Sequence, residues 1–151
     1  MAEACERERL GVAPQATRQE IVDFLLEQAA SPSHNGKLDP CDVTMVGGNP
    51  GCGDVITVYL NVDRDRDAVA QASFVGEGCT ISQAAASVLM DQVQGLTLTA
   101  IEAMDANDVT DSLGREVVKS RPRCATLALS TLKGAVKAYR NQRLREAAGI
   151  R

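Results

Sequence analysis

The chain has no tryptophan, a single histidine, and only two phenylalanines and two tyrosines in 151 residues. A protein this poor in aromatics has no stacking platform for bases, and a net charge of −4 supplies no basic face for phosphates, so nucleic acid is not an expected partner. Apolar runs of membrane-spanning length are missing too, which argues against a membrane protein. The start, Met1-Ala2-Glu3-Ala4-Cys5-Glu6-Arg7-Glu8, is mixed in charge and lacks the basic and apolar stretches of an export signal. A cytoplasmic protein is therefore expected. Five cysteines, an odd number with no CxxC pair, do not suggest a disulfide framework in such a chain and direct attention to metal ligation or reactive thiols.

What is present describes one globular unit, with 44% hydrophobic and 24% charged residues in a length that buries a real core. Residues 1–16, with Gly11 and Pro14 and no periodicity, read as a flexible N-terminal extension, and 17–151 as a single domain. Thr17-Arg18-Gln19-Glu20 is a capping box, and Ile21, Phe24, Leu25 and Ala29 follow at helical spacing to about Ala30. Ser31-Pro32-Ser33-His34-Asn35-Gly36 ends that helix.

The period then changes to two. Ile56, Val58, Leu60 and Val62 alternate with Val55, Thr57, Tyr59 and Asn61, the pattern of a strand with one covered face. The Asp63–Asp67 turn leads to a second strand over Ala68–Val75, pairing antiparallel with the first, and Val43–Val46 offers a short third. The helical period returns after Cys79 with Ile81, Ala84, Ala85, Val88, Leu89 and Val93, stopping at Gly95. A short helix is expected around Leu98–Met104, a loosely defined stretch over Asp105–Ser120, and a long last helix that Cys124 begins. In that helix Leu127, Leu132, Ala135, Val136 and Tyr139 form the apolar stripe, and Lys133, Lys137, Arg140, Arg143 and Arg145 a solvated outer face. The expected fold class is α+β, a small three-stranded antiparallel sheet packed against helices.

Three cysteines fall at the ends of these elements. Cys52 lies in Asn49-Pro50-Gly51-Cys52-Gly53-Asp54 before the firmest strand, Cys79 in Gly76-Glu77-Gly78-Cys79-Thr80-Ile81-Ser82 at a helix start, and Cys124 in Arg121-Pro122-Arg123-Cys124-Ala125. Antiparallel pairing brings the Cys52 loop and the Cys79 turn to one edge of the sheet. Three thiols and the Asp54 carboxylate are enough for a tetrahedral metal site, and flanking glycines permit close backbone approach. Helix starts favour thiolate at Cys79 and Cys124, and Arg121 and Arg123 add positive charge at the latter. Cys5 falls in the N-terminal extension, Cys41 reads as a small buried or idle thiol with a redox or auxiliary role as the alternative, and His34 reads as a turn residue.

These three motifs, in this order, resemble those of the IscU/NifU N-terminal family of iron–sulfur cluster assembly scaffolds over roughly Thr17–Tyr139, and Pro32, Asn35 and Gly36 look like that family's turn after the first helix. The resemblance implies an exposed site with Cys52, Asp54, Cys79 and Cys124 as ligands for iron or a labile [2Fe–2S] cluster, and for zinc in the purified protein. It implies a cysteine desulfurase as sulfur donor and apo-proteins as acceptors. Arg123 stands where the IscU branch has histidine, and with the Gly-Glu-Gly-Cys-x-Ile-Ser wording it looks like the SufU branch, though the interval between Cys79 and Cys124 is shorter than is usual there. The alternative is thus a zinc-dependent sulfurtransferase that takes persulfide sulfur without holding the cluster, so enzyme and carrier both stay open. Cys52, on its glycine loop, is the first candidate for sulfur acceptor and Cys124 the second. The Leu-Pro-Pro-Val-Lys chaperone-binding motif is absent, leaving a dedicated chaperone without a docking sequence.

Overall fold

The computed structural model describes residues 16–49, 53–119 and 121–149. Cys5 and the rest of the expected N-terminal extension up to residue 15 lie outside them, as does Cys52. The elements run α1 (Arg18–Ala30), β1 (Val43–Asn49), β2 (Asp54–Asp63), β3 (Ala68–Glu77), α2 (Thr80–Val93), α3 (Leu98–Glu102), α4 (Ala106–Leu113), α5 (Arg115–Val118) and α6 (Pro122–Ala147). The strands form one antiparallel sheet in the order β1-β2-β3. Ile56, Val58, Leu60 and Val62 point inward from β2 and meet Phe74 and Ala72 of β3 beneath α2 and α6, all of them buried. Full burial of side chains of this size contributes roughly 1.5–3 kcal/mol each, which anchors the sheet to the helices.

Both ends of α1 match their sequence signals. Thr17 accepts the Glu20 N–H and Glu20 returns to the Thr17 N–H at 2.9 Å. The segment after α1 then has a structural task. The Gly36 N–H donates to the Phe74 carbonyl at 2.8 Å and the Phe74 N–H to the His34 carbonyl at 3.1 Å, which covers part of the outer edge of β3. Gln94 continues the cover, accepting the Ala72 N–H at 3.2 Å and donating to its carbonyl at 2.8 Å, and Val69 is paired by Gly95 and Leu96. An edge strand left open would invite pairing with another chain; here loop backbone and a side-chain amide occupy it.

Three expectations are corrected. β1 continues past Val46 to Asn49, because Gly47 lets the strand pass beneath α6: a Cβ there would overlap the Thr131 side chain. The stretch from Asp105 is helical, as α4 and α5. Asp105 and Asp108 form the reciprocal cap, Val109, Leu113 and Val118 are buried, and Gly114, at φ 88°, turns the chain against Ile21. Finally, α6 starts at Pro122, whose missing N–H costs nothing in a first turn, and its basic face is not wholly solvated. Lys133 reaches the Met104 carbonyl and Arg140 pairs with Glu102, tying α3 to α6, while Lys137, Arg143 and Arg145 are exposed. Among the described residues no helix is long and apolar enough to cross a membrane.

Candidate metal centre

The sheet register places the site. Asn49 ends β1 opposite Asp54, the first residue of β2, and Val55 stands opposite Glu77 at the end of β3. The chain then turns through Gly78 into α2, with Cys79 as its N-cap residue. Cys124, the third residue of α6, comes in from the other side. One ligand atom from each of Asp54, Cys79 and Cys124 lies within 4.8 Å of the other two. The sequence motif continues to Cys52, which is outside the described residues.

Asp54 holds this group together with its two oxygens in different roles. Oδ1 accepts the backbone N–H of Cys79 at 3.0 Å. Oδ2 faces the sulfurs, accepting from the Cys124 thiol at 3.1 Å and more weakly from the Cys79 thiol at 3.8 Å. The carboxylate fits only because Gly78 has no side chain: a Cβ there would overlap the Asp54 carboxylate and come within 2.8 Å of Ser82 Oγ. Asp54 and Cys124 are each 1% exposed, so the expected open site is in fact buried at two of its three described donors; Cys79 is partly exposed.

Burial makes the electrostatics uneven. Asp54 forms no ion pair with lysine, arginine or histidine among the described residues. A buried carboxylate surrounded by neutral donors is costly, and a bound cation would offset that cost. Partial burial pushes the Cys79 thiol up, but hydrogen bonds from the Ser82 amide and hydroxyl and from the Cys124 thiol outweigh both that and the nearby Asp54 carboxylate, leaving it below its ordinary value. Two soft sulfurs and one harder oxygen suit zinc or iron, and three described donors leave coordination positions open.

The other candidates fall elsewhere. Cys41 Sγ sits 3.1 Å from Thr44 Oγ1 near the opposite end of β1. His34, at φ 55°, is a turn residue whose Nε2 is 3.7 Å from Asp91 Oδ1. Arg123 is exposed beside Cys124. Ser82 was not singled out by its sequence position, although the i, i+3 spacing from Cys79 across a helix start is the signal that identifies it.

Fold and site together define an α+β domain built to bring thiolates and one carboxylate to a sheet edge, as metal-handling scaffolds do. The chain belongs to the NifU-like N terminal domain family, whose family model matches residues 16–146. It is 34% identical over 131 residues to the iron–sulfur cluster assembly scaffold protein IscU of Thermotoga maritima, covering 76% of this chain and 91% of that protein. The IscU scaffold of Azotobacter vinelandii is 28% identical, covering 80% and 94%. Among solved structures, an iron–sulfur cluster assembly scaffold protein for the SUF system from Fervidobacterium islandicum AW-1 superposes with a TM-score of 0.62 at 25% identity, covering 76% of this chain and 94% of that one.

Proposed function

We propose that this protein is an iron–sulfur cluster assembly scaffold, which receives sulfur from a cysteine desulfurase, binds iron or a labile [2Fe–2S] cluster, and passes it to acceptor apo-proteins. The observation that carries the reading is the buried Asp54 carboxylate set between the Cys79 and Cys124 thiols with no ion-pair partner among the described residues. Cys52 completes the proposed ligand set with Asp54, Cys79 and Cys124. Zinc occupies the site in protein purified without iron and sulfide, since it accepts sulfur and oxygen ligands without redox demands. Residues 17–151 act as one unit, and the thiols Cys41 and Cys79, free of disulfides, suit the reducing cytoplasm.

Each residue has a defined part. In sulfur delivery the thiolate of Cys52, or of Cys124 as second candidate, attacks the terminal sulfur of the desulfurase persulfide. The new S–S bond forms as the old one breaks, and the desulfurase cysteine leaves as thiolate. Asp54 is the hard ligand, held more weakly by iron than the thiolates are, and gives the cluster an edge that opens for transfer.

A second reading is supported by Arg123 in place of a histidine and by the likeness to the SUF-system scaffold. In it the protein is a SufU-type zinc-dependent sulfurtransferase that takes the persulfide sulfur but holds no cluster.

Asp54→Ala separates the two. For a scaffold the variant folds, yields a reconstituted cluster that decays more slowly in its visible absorbance, and transfers it more slowly to an apo-acceptor. A variant that binds zinc but forms no cluster and no longer stimulates the desulfurase supports the sulfurtransferase. Cluster decay and transfer at the wild-type rate would remove Asp54 from control of lability.

A further inference from the structure

Ser82 is 1% exposed in the first turn of α2, three residues after Cys79. Its hydroxyl donates to the Cys79 carbonyl at 3.1 Å and lies 3.7 Å from Cys79 Sγ. A serine bonded to the carbonyl three residues back is common in helices and needs no function. Two further contacts set this one apart. The Cys79 carbonyl also accepts the Gln83 N–H at 3.1 Å, so it keeps a partner if the hydroxyl turns away. A Cβ on Gly78 would come within 2.8 Å of Ser82 Oγ and would overlap Asp54 Oδ1, so the hydroxyl and the carboxylate both stand against the same side-chain-free glycine.

Counting protons gives the hydroxyl two settings. While Cys79 carries its thiol proton, S–H is shared between Asp54 Oδ2 and Ser82 Oγ, and Ser82 O–H donates to the carbonyl. When a metal ion takes the place of the thiol proton, the lone pairs of Oγ and sulfur would face each other unless the hydroxyl proton turns toward the sulfur. Rotation about the Ser82 Cβ–Oγ bond achieves this with no movement of heavy atoms and no orphaned acceptor.

We propose that Ser82 is the positioning residue of the Cys79 ligand, its hydroxyl turning from the Cys79 carbonyl to the Cys79 sulfur on metal binding. The inference rests on Asp54, Cys79 and Cys124 being metal ligands. A donor to a metal-bound thiolate fixes the direction of the sulfur and draws charge from it, so its loss weakens the metal bond and moves the sulfur-to-metal charge-transfer band.

The test titrates zinc against a competing chelator and records the cobalt-substituted spectrum for wild type, Ser82→Ala and Ser82→Thr. Ser82→Ala is expected to bind zinc about tenfold more weakly with a shifted charge-transfer band, and Ser82→Thr, which keeps the hydroxyl, to recover both. In wild type loaded with cadmium-113, the Ser82 hydroxyl proton is expected to show scalar coupling to the metal through the Cys79 sulfur, a measurement that needs no variant to fold. Wild-type zinc affinity and an unshifted band in Ser82→Ala, or no such coupling, would overturn the role of Ser82 alone. Failure of the wild-type protein to bind zinc, cobalt or cadmium would overturn the metal centre, and this inference with it.

Discussion

The two ends of β2 lie about 30 Å apart, given ten residues at ~3.3 Å each, and they settle charge in opposite ways. Beyond Asp63, the turn residue Asp67 meets Arg140 at 3.3 Å, and the same guanidinium pairs with Glu102 at 3.0 Å. Hydrogen bonding to Glu102 outweighs burial, and with Asp67 alongside it raises the Arg140 pKa further above its already high value, so that end is saturated at the surface. At the other end Asp54 is buried with two thiols and the Cys79 amide, and among the described residues no cation pairs with it. A closed network of this kind supports the fold. The open one is the place where a cation from outside completes the electrostatics, which is why the metal is expected there and not among the more numerous surface carboxylates.

Removing a thiol breaks the comparison most sharply. Cys79→Ala and Cys124→Ala are each expected to lower zinc affinity by on the order of a hundredfold, about 3 kcal/mol, as read by chelator competition. Binding at wild-type strength in either would mean that the open end is not the metal centre. Next in size, Gly78→Ala forces a Cβ into the Asp54 carboxylate and is expected to cost about 1–3 kcal/mol of stability in a urea titration. Gly134→Ala on α6 is its control: the added Cβ would meet Met45 at ordinary contact distances of 3.6–3.9 Å, so a gain of up to ~1 kcal/mol is expected from helix propensity. Equal effects at the two glycines would contradict the tight packing assigned to the site.

At the closed end, Arg140→Ala is expected to cost at most about 1 kcal/mol, less in high salt because the pairs are solvent-screened, with zinc affinity unchanged. Altered zinc binding would show that the two ends are coupled. The smallest effect concerns pH. The Cys79 pKa is lowered in the folded, metal-free protein relative to an unfolded thiol near ~8.5, so the fold gains from the thiolate above that unfolded value and loses the gain as pH falls through the folded one. The stability difference between metal-free wild type and Cys79→Ser should therefore grow with rising pH and level off above ~8.5. A difference that shrinks with rising pH would reverse the assigned sign.

Much of this was legible in one dimension because it depends on neighbours in sequence. The Thr17–Glu20 cap, the alternation in β2 and the helical stripe of α2 are local patterns, and each became the element expected. Where the local signal was short or atypical, the reading fell short. The helix after Asp105 is capped by aspartate in place of the usual glutamate or glutamine, and its few buried residues acquire meaning only against Ile21 and α6. The third strand was expected only over Val43–Val46, short of Gly47, where the sheet passes so close to Thr131 that a Cβ would overlap its side chain.

The site divides along the same line. Sequence alone singled out the candidate ligands, since thiols at glycine-flanked element ends, with Asp54 close to one of them, form a pattern of residue type and order. It also determined that Cys79 would stand at a helix start, because the period changes there. Only the tertiary structure decided that Asp54 and Cys124 are buried, that one carboxylate oxygen is taken by the Cys79 amide while the other faces two sulfurs, and that Ser82 stands beside the ligand. Those facts depend on contacts between residues 25 and 70 positions apart, set by strand register and by how α6 packs on the sheet, and burial and hydrogen-bond direction exist only once those elements have met.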